Sequence, residues 1–184
     1  MAWAQTPGER PGKKPAQPKS CHERALGLLA VRARSRRELE RRLLQAGFEA
    51  EEIADVLERL ERVGLVDDEA FARQVADHAL GVKRSGRRAV VSTLMAAGVS
   101  PDVIEATLAD AGDEDERADA LARSRVARLG SLEPAKAFAR LTSLLVRRGY
   151  SPEVARQAAR RALTVDLDDP SEDRPHLASG FTRP

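Results

Sequence analysis

The stretch RRGYSPEV, residues 147–154, has two echoes in the same chain: AAGVSPDV at 96–103 and QAGFEAEE at 45–52. The spacing is 51 residues both times, and the glycine is kept in every copy, as Gly47, Gly98 and Gly149. A fixed period of about this length marks one supersecondary unit copied along the chain. Upstream of each glycine, at minus 8, minus 4 and minus 3, stand Leu39/Leu43/Leu44, Val90/Leu94/Met95 and Leu141/Leu145/Val146. That spacing predicts an amphipathic helix with all three positions on its inner face. A glycine just past the last periodic residue is a left-handed cap, because it lacks the Cβ that penalises positive φ. An apolar residue follows each time (Phe48, Val99, Tyr150), placed to fold back on the helix just left. In two copies Ser-Pro and an acid come next, which supply an N-cap, a proline suited to the first helical position and a carboxylate at the positive helix end. The phrase reads as a tight helix–Gly–helix corner.

Working outward, each corner is preceded by one more helix. In the first copy, 23–33 is expected to turn Leu26 and Leu29 inward. SRRE at 35–38 has the form of a capping box, and a third helix spans 50–63 before Gly64. The second copy opens at Asp67/Asp68, with Phe71 and Val75 inward, followed by helices over 87–97 and 101–111. The third opens on the acids of 113–116 and continues through helices over 133–148 and 152–163. The expected fold is all-α: a tandem array of three three-helix, helix-turn-helix-like repeats, elongated and curved. Their boundaries fall at 21–66, 67–112 and 113–164. Residues 1–20 hold four prolines with a net charge of +3, and 165–184 hold three prolines with an acidic bias. Both are read as disordered tails, the first basic and the second acidic.

Composition narrows the function. Basic and acidic residues number 31 and 29, so the chain lacks the global field of a bulk nucleic-acid binder. The single cysteine, Cys21, excludes an internal disulfide and fits a reducing cytoplasm. No run approaches the roughly 18 apolar residues of a membrane span. His22, His78 and His176 are scattered and have no partner at helical spacing, whereas a metal or catalytic site needs converging groups. No Gly-rich loop leads into Lys-Ser/Thr, so a P-loop is absent. Asp67, Asp68 and Glu69 are explained as acids at a helix start. No catalytic residue, metal or cofactor is expected.

The arginines carry the functional signal. RARSRRELERR (32–42) places Arg32, Arg34, Arg36, Arg37, Arg41 and Arg42 around the first helix junction, against Glu38 and Glu40. KRSGRR (83–88) places Lys83, Arg84, Arg87 and Arg88 at the matching junction of the second copy, with no acid among them. Arg147 and Arg148 stand at the third corner. These twelve are the candidate contacts for an acidic protein surface or for nucleic-acid phosphates. Phe48, Phe71, Phe138 and Tyr150 all fall at core phase, so base stacking is not expected. The helices after the corners begin EAEEIAD, SPDVIEA and SPEVARQ, with acids where phosphates would lie, and this counts against groove readout by them.

The joint LERVGLVDDEAFARQ (60–74), with SRRELERRLLQAGF upstream and GRRAVVSTLMAAGV downstream, closely resembles the RecX family of regulators of the RecA recombinase. The family's most distinctive phrase is matched by Gly64-Leu65-Val66-Asp67-Asp68 and Phe71-Ala72, and the resemblance covers about 23–163. Physically the phrase is structural: Gly64 ends a helix, Leu65 and Val66 pack beneath the joint, the aspartates cap the next helix and Phe71 enters the core. The resemblance implies a non-enzymatic cytoplasmic protein, acting as a monomer, that binds the RecA–single-stranded-DNA filament. It further implies suppression of ATPase, strand-exchange and co-protease activities, and so modulation of recombination, DNA repair and the SOS response. The alternative is a helical DNA-binding module that acts without RecA.

Overall fold

The computed structural model describes residues 19–168, with side chains to Leu163. Among these residues the chain forms nine α-helices and no strand: α1 (Cys21–Leu29), α2 (Arg36–Gln45), α3 (Ala50–Arg62), α4 (Asp68–Asp77), α5 (Arg87–Ala97), α6 (Pro101–Ala109), α7 (Glu114–Val126), α8 (Pro134–Arg147) and α9 (Pro152–Asp168). A π-helical turn, His78–Val82, extends α4. Most of both expected tails, and His176 with them, lies outside the described residues; α9 continues four residues past the expected limit of 164.

The corners form as their letters require. Gly47, Gly98 and Gly149 have φ of +89°, +80° and +89°. The N–H of the apolar residue after each glycine reaches back to the carbonyl four residues before that glycine: Phe48 to Leu43, Val99 to Leu94 and Tyr150 to Leu145. Ser100 and Ser151 accept from the amides of Val103 and Val154, at 3.4 and 3.1 Å.

Three details depart from the expected pattern. Positions minus 8 and minus 4 of each corner are buried, but minus 3 is not: Leu44, Met95 and Val146 are 48%, 63% and 39% exposed. At about 100° per residue, minus 8 and minus 4 differ by only some 40°, whereas minus 3 lies a further 100° round. In α1 the inner face is made by Cys21 and Ala25, and Leu26 is turned outward. Beyond Gly64 the chain bends, the Leu65 and Val66 amides both reaching the Leu60 carbonyl at 2.9 and 3.3 Å, and only Val66 is buried while Leu65 is more than half exposed.

The chain divides into two compact units, one up to Val66 and one from Asp67 onward. In the first, Leu39, Leu43, Ile53, Val56, Leu57 and Leu60 form the core. Its polar pin is Glu38. Ser35 caps α2 by accepting from the Glu38 amide at 3.1 Å. The Glu38 Oε1 receives Arg32 at 2.6 Å, Arg42 at 3.0 Å and the buried Arg34. A capping box closes one helix earlier, between Ser20 and Glu23 at the start of α1. Arg34 also donates to the Leu28 carbonyl at 3.1 Å, tying α1 to α2. Burial pushes the Glu38 carboxyl up, but hydrogen bonds from Arg32 and Arg42 and the neighbouring positive charges outweigh it and hold the group below its usual range.

In the second unit α4 packs on α6, and α7 and α8 both pack on α9. Two cores result, one around Val90, Leu94, Ile104 and Leu108 and the other around Leu121, Leu141, Leu145 and Tyr150. Between them the backbones of Gly86 and Gly149 meet. A Cβ on Gly86 would lie 2.3 Å from the Gly149 carbonyl oxygen, and one on Gly149 would lie 2.4 Å from the Ala89 Cβ.

Two outcomes follow for stability. Gly86→Ala should destabilise the second unit by about 3 kcal/mol, because rigid backbone cannot make room. Gly81→Ala, with no atom within 4 Å, should change it by less than about 0.5 kcal/mol; urea unfolding of the two variants tests the contrast. Glu38→Ala should destabilise the first unit by about 3 kcal/mol at neutral pH, since Arg34 keeps a buried charge without its partner. A carboxyl depressed by folding contributes above its unfolded value of about 4.3 and loses that contribution as pH falls through the lower folded value. The gap between Glu38→Ala and the parent chain should therefore narrow below about pH 4, as read by unfolding curves from pH 7 to pH 3.

Candidate functional site

The twelve candidate basic residues meet two different fates. In the first unit, Arg32, Arg34 and Arg42 converge on Glu38, and Arg36 pairs with Glu61 at 2.9 Å. These four stabilise the fold. Arg34 in particular is buried, which takes its head group out of reach of a partner. Arg37 and Arg41 are exposed and make no ion pair among the described residues.

In the second unit the other six come together. The π turn sets this up: the Lys83 amide reaches the His78 carbonyl at 3.1 Å and the Ser85 amide reaches Ala79 at 2.8 Å. The widened turn delivers the loop 83–86 to the α8–α9 corner. There the Gly86 N–H donates to the Arg148 carbonyl at 2.9 Å, and the Arg88 N–H donates to Gly149 at 3.1 Å. Tyr150 donates its hydroxyl to the Arg84 carbonyl at 3.0 Å, and Arg148 Nη1 donates to the Lys83 carbonyl at 2.9 Å.

The start of α5 explains why these contacts are required. Its N-cap is Gly86, which has no side chain to cap with. The first free amides must be satisfied from elsewhere, and the third repeat satisfies them. The Glu114 carboxylate accepts from the Arg87 N–H at 2.7 Å, and the Gly149 carbonyl accepts from Arg88. A carboxylate at this position also complements the positive end of α5. Tyr150 is fully buried beneath the junction. Burial pushes its phenol up, with the nearby Glu114 charge adding to the rise against Arg117, Arg148 and Arg84. The group therefore stays a neutral donor.

One residue here carries strain. Arg84 has φ of +49°, the only positive value at a non-glycine among the described residues. A side chain in that region costs about 1–2 kcal/mol, and the Tyr150 hydrogen bond to its carbonyl holds it there. The outcome is a rigid backbone knot surrounded by cationic side chains. Lys83, Arg84, Arg88, Arg147 and Arg148 are exposed and Arg87 is half-buried. Among the described residues, none of the six forms an ion pair. The sequence suggested them as clusters in separate repeats. The pairing partners Glu114, Gly86 and the Tyr150 hydroxyl were missed, and the one signal available was a helix opening on glycine with no capping side chain of its own.

No group of three or more His, Cys, Asp or Glu side chains converges among the described residues. Nor is any described helix long and apolar enough to cross a membrane. What the junction can do chemically is hold anionic groups, whether carboxylates or phosphates, with guanidinium donors on a fixed frame.

Comparison with known proteins agrees with this architecture repeat by repeat. Profiles described as RecX, first, second and third three-helix domain match residues 21–60, 67–108 and 113–159. A regulatory protein RecX of Mycobacterium sp. (strain JLS) is 39% identical over 173 residues, covering 91% of this chain and 92% of its own length. That of Mycobacterium avium (strain 104) is 36% identical over 158 residues, covering 84% and 91%. The crystal structure of RecX from Lactobacillus salivarius shares the fold with a TM-score of 0.69 over 78% of this chain and 95% of its own, at 18% identity. With three repeats matched in order, the joint phrase in place and relatives aligned along nearly their whole length, the chain belongs to the RecX family of regulatory proteins.

Proposed function

We propose that this protein regulates RecA by binding the RecA–single-stranded-DNA filament and inhibiting its ATPase, strand-exchange and co-protease activities, acting as a cytoplasmic monomer. The observation that carries this reading is the gathering of six unpaired cations from two repeats onto one rigid junction. A filament offers both acidic protein surface and DNA phosphate, and cations on a fixed frame engage either without first being ordered. The role asks for binding alone, with no bond made or broken by this chain. Family membership supports the regulatory role, and the geometry supports the junction as its contact. Arg37 and Arg41 supply a second, smaller contact on the first unit.

The reading of a DNA-binding module that acts alone finds less support. The helices that would enter a groove start with Glu51 and Glu52, Asp102 and Glu153, which phosphates would repel.

The test is RecA's single-strand-dependent ATP hydrolysis, titrated with this protein at low and moderate salt, with binding to naked single strands measured alongside. Inhibition well below one copy per RecA, with much weaker binding to naked strands, is the expected result. No effect on RecA, combined with salt-sensitive binding to bare DNA, would overturn it in favour of the DNA-binding module. Reversing charge at both Arg87 and Arg88 should weaken inhibition about tenfold or more while helicity by circular dichroism stays unchanged. Arg84→Gly should separate binding from folding. It relieves a left-handed conformation, so the melting temperature should hold or rise, while loss of one cation weakens inhibition by a few fold and lowers its salt dependence by about one charge.

A further inference from the structure

The two adjacent arginines at the start of α5 also flank a concave, mostly apolar feature of the second repeat. Between α5 and α6 lies an open groove of about 670 Å³, floored by Val91, Ile104 and Leu108 and rimmed by Met95, Arg87, Arg88 and one acid, Glu105. At the matching positions of the third repeat stand Ala155 and Ala159, and there α8 and α9 close on each other with both alanines fully buried. In the second repeat the same positions carry Ile104 and Leu108, as the first repeat carries Ile53 and Leu57. One step along the period Arg87 and Arg88 are replaced by Phe138 and Ala139, while one step back Arg36 and Arg37 stand in their place, Arg36 paired with Glu61.

We propose that this groove receives an amphipathic segment of a RecA protomer, with apolar side chains over Met95 and Val91 and a carboxylate on Arg87 and Arg88. The inference rests on the reading of the protein as a filament regulator and names the chemistry of its partner. Charge complementarity selects the occupant. The guanidinium groups of Arg87 and Arg88 have no ion pair among the described residues and outnumber the one acid of the lining, Glu105, while the rest of the slot beside them is mostly apolar. A nucleic-acid strand would meet the arginines but leave the slot unfilled. An amphipathic helix or turn with an acid beside its apolar face fits both. Met95, 63% exposed at the rim, has an unbranched side chain that adapts to such a partner.

The experiment compares the full chain with Met95→Ser and Met95→Leu for binding to two probes: RecA filaments assembled on oligo-dT with a non-hydrolysable ATP analogue, and oligo-dT alone. Because Met95 faces solvent, melting temperatures should agree within a few degrees. Should Met95→Ser melt lower, Ser92→Trp, which fills the slot from an exposed position, takes its place. The expected result is a fivefold or greater loss of filament affinity for Met95→Ser, recovery with Met95→Leu, and no change on oligo-dT. Filament affinity equal to the parent's would overturn the groove while leaving the regulatory reading standing. An equal loss on both probes would make the occupant DNA. A gain in filament affinity on deleting residues 169–184, seen in the parent but not in Met95→Ser, would make it the chain's own C-terminal segment. A parent chain that binds no filament would overturn the regulatory reading and this inference with it.

Discussion

The second unit depends on two glycines that cannot be anything larger. Gly86 and Gly149 bring two backbones to a separation that leaves no room for a Cβ on either side. The peptide groups on each then satisfy one another, with Gly86 and Arg88 donating to Arg148 and Gly149. Buried backbone amides that lack a partner are costly, so α5 cannot begin where it does unless the third repeat is in place. This makes the second and third repeats mutually dependent: each supplies what the other's helix terminus lacks. The division of the chain at Val66 and Asp67 has a parallel in this dependence, since the first repeat satisfies its own termini with Ser20 and Ser35.

The same pair of facts decides what becomes of the arginines. In RARSRRELERR an acid lies within the run, at a position where α2 turns it inward. Three guanidinium groups follow Glu38, and the cluster becomes part of the wall between α1 and α2. In KRSGRR no acid is within reach along the chain. The acid that does arrive, Glu114, comes from the third repeat and is taken up by a backbone amide, leaving the side chains of Arg87 and Arg88 unpaired. Two stretches alike in basic content thus differ in role because one contains its own counter-charge and the other does not.

The repeat, its corners and its helix boundaries were legible because each rests on local chemistry: Gly for a left-handed cap, Ser-Pro for a helix start, and an apolar period near 3.6. Helix ends fell within a few residues of the expected positions for the same reason. The orientation of Leu44, Met95 and Val146 was misjudged by grouping three positions on one face when only two share it. The Ser35 cap was legible in four letters, but the convergence of three arginines on the Glu38 carboxylate was not. The meeting of 83–88 with 147–150 was beyond any local reading. It depends on a π turn that redirects the chain and on a contact between residues more than 60 positions apart.

Tyr150 is the chain's single tyrosine, and it is fully buried at the meeting point of two repeats. Its ultraviolet absorbance is therefore a built-in reporter of that joint, undiluted by any other phenol. Because folding raises its ionisation above the ordinary value, the neutral form belongs to the joined state and the phenolate to the opened one. The linkage has a definite sign: the contribution is whole below about pH 10 and is lost as alkali takes the proton from the separated chain. A phenolate band that grows late and cooperatively on alkaline titration marks the repeats coming apart, with no label added to the molecule.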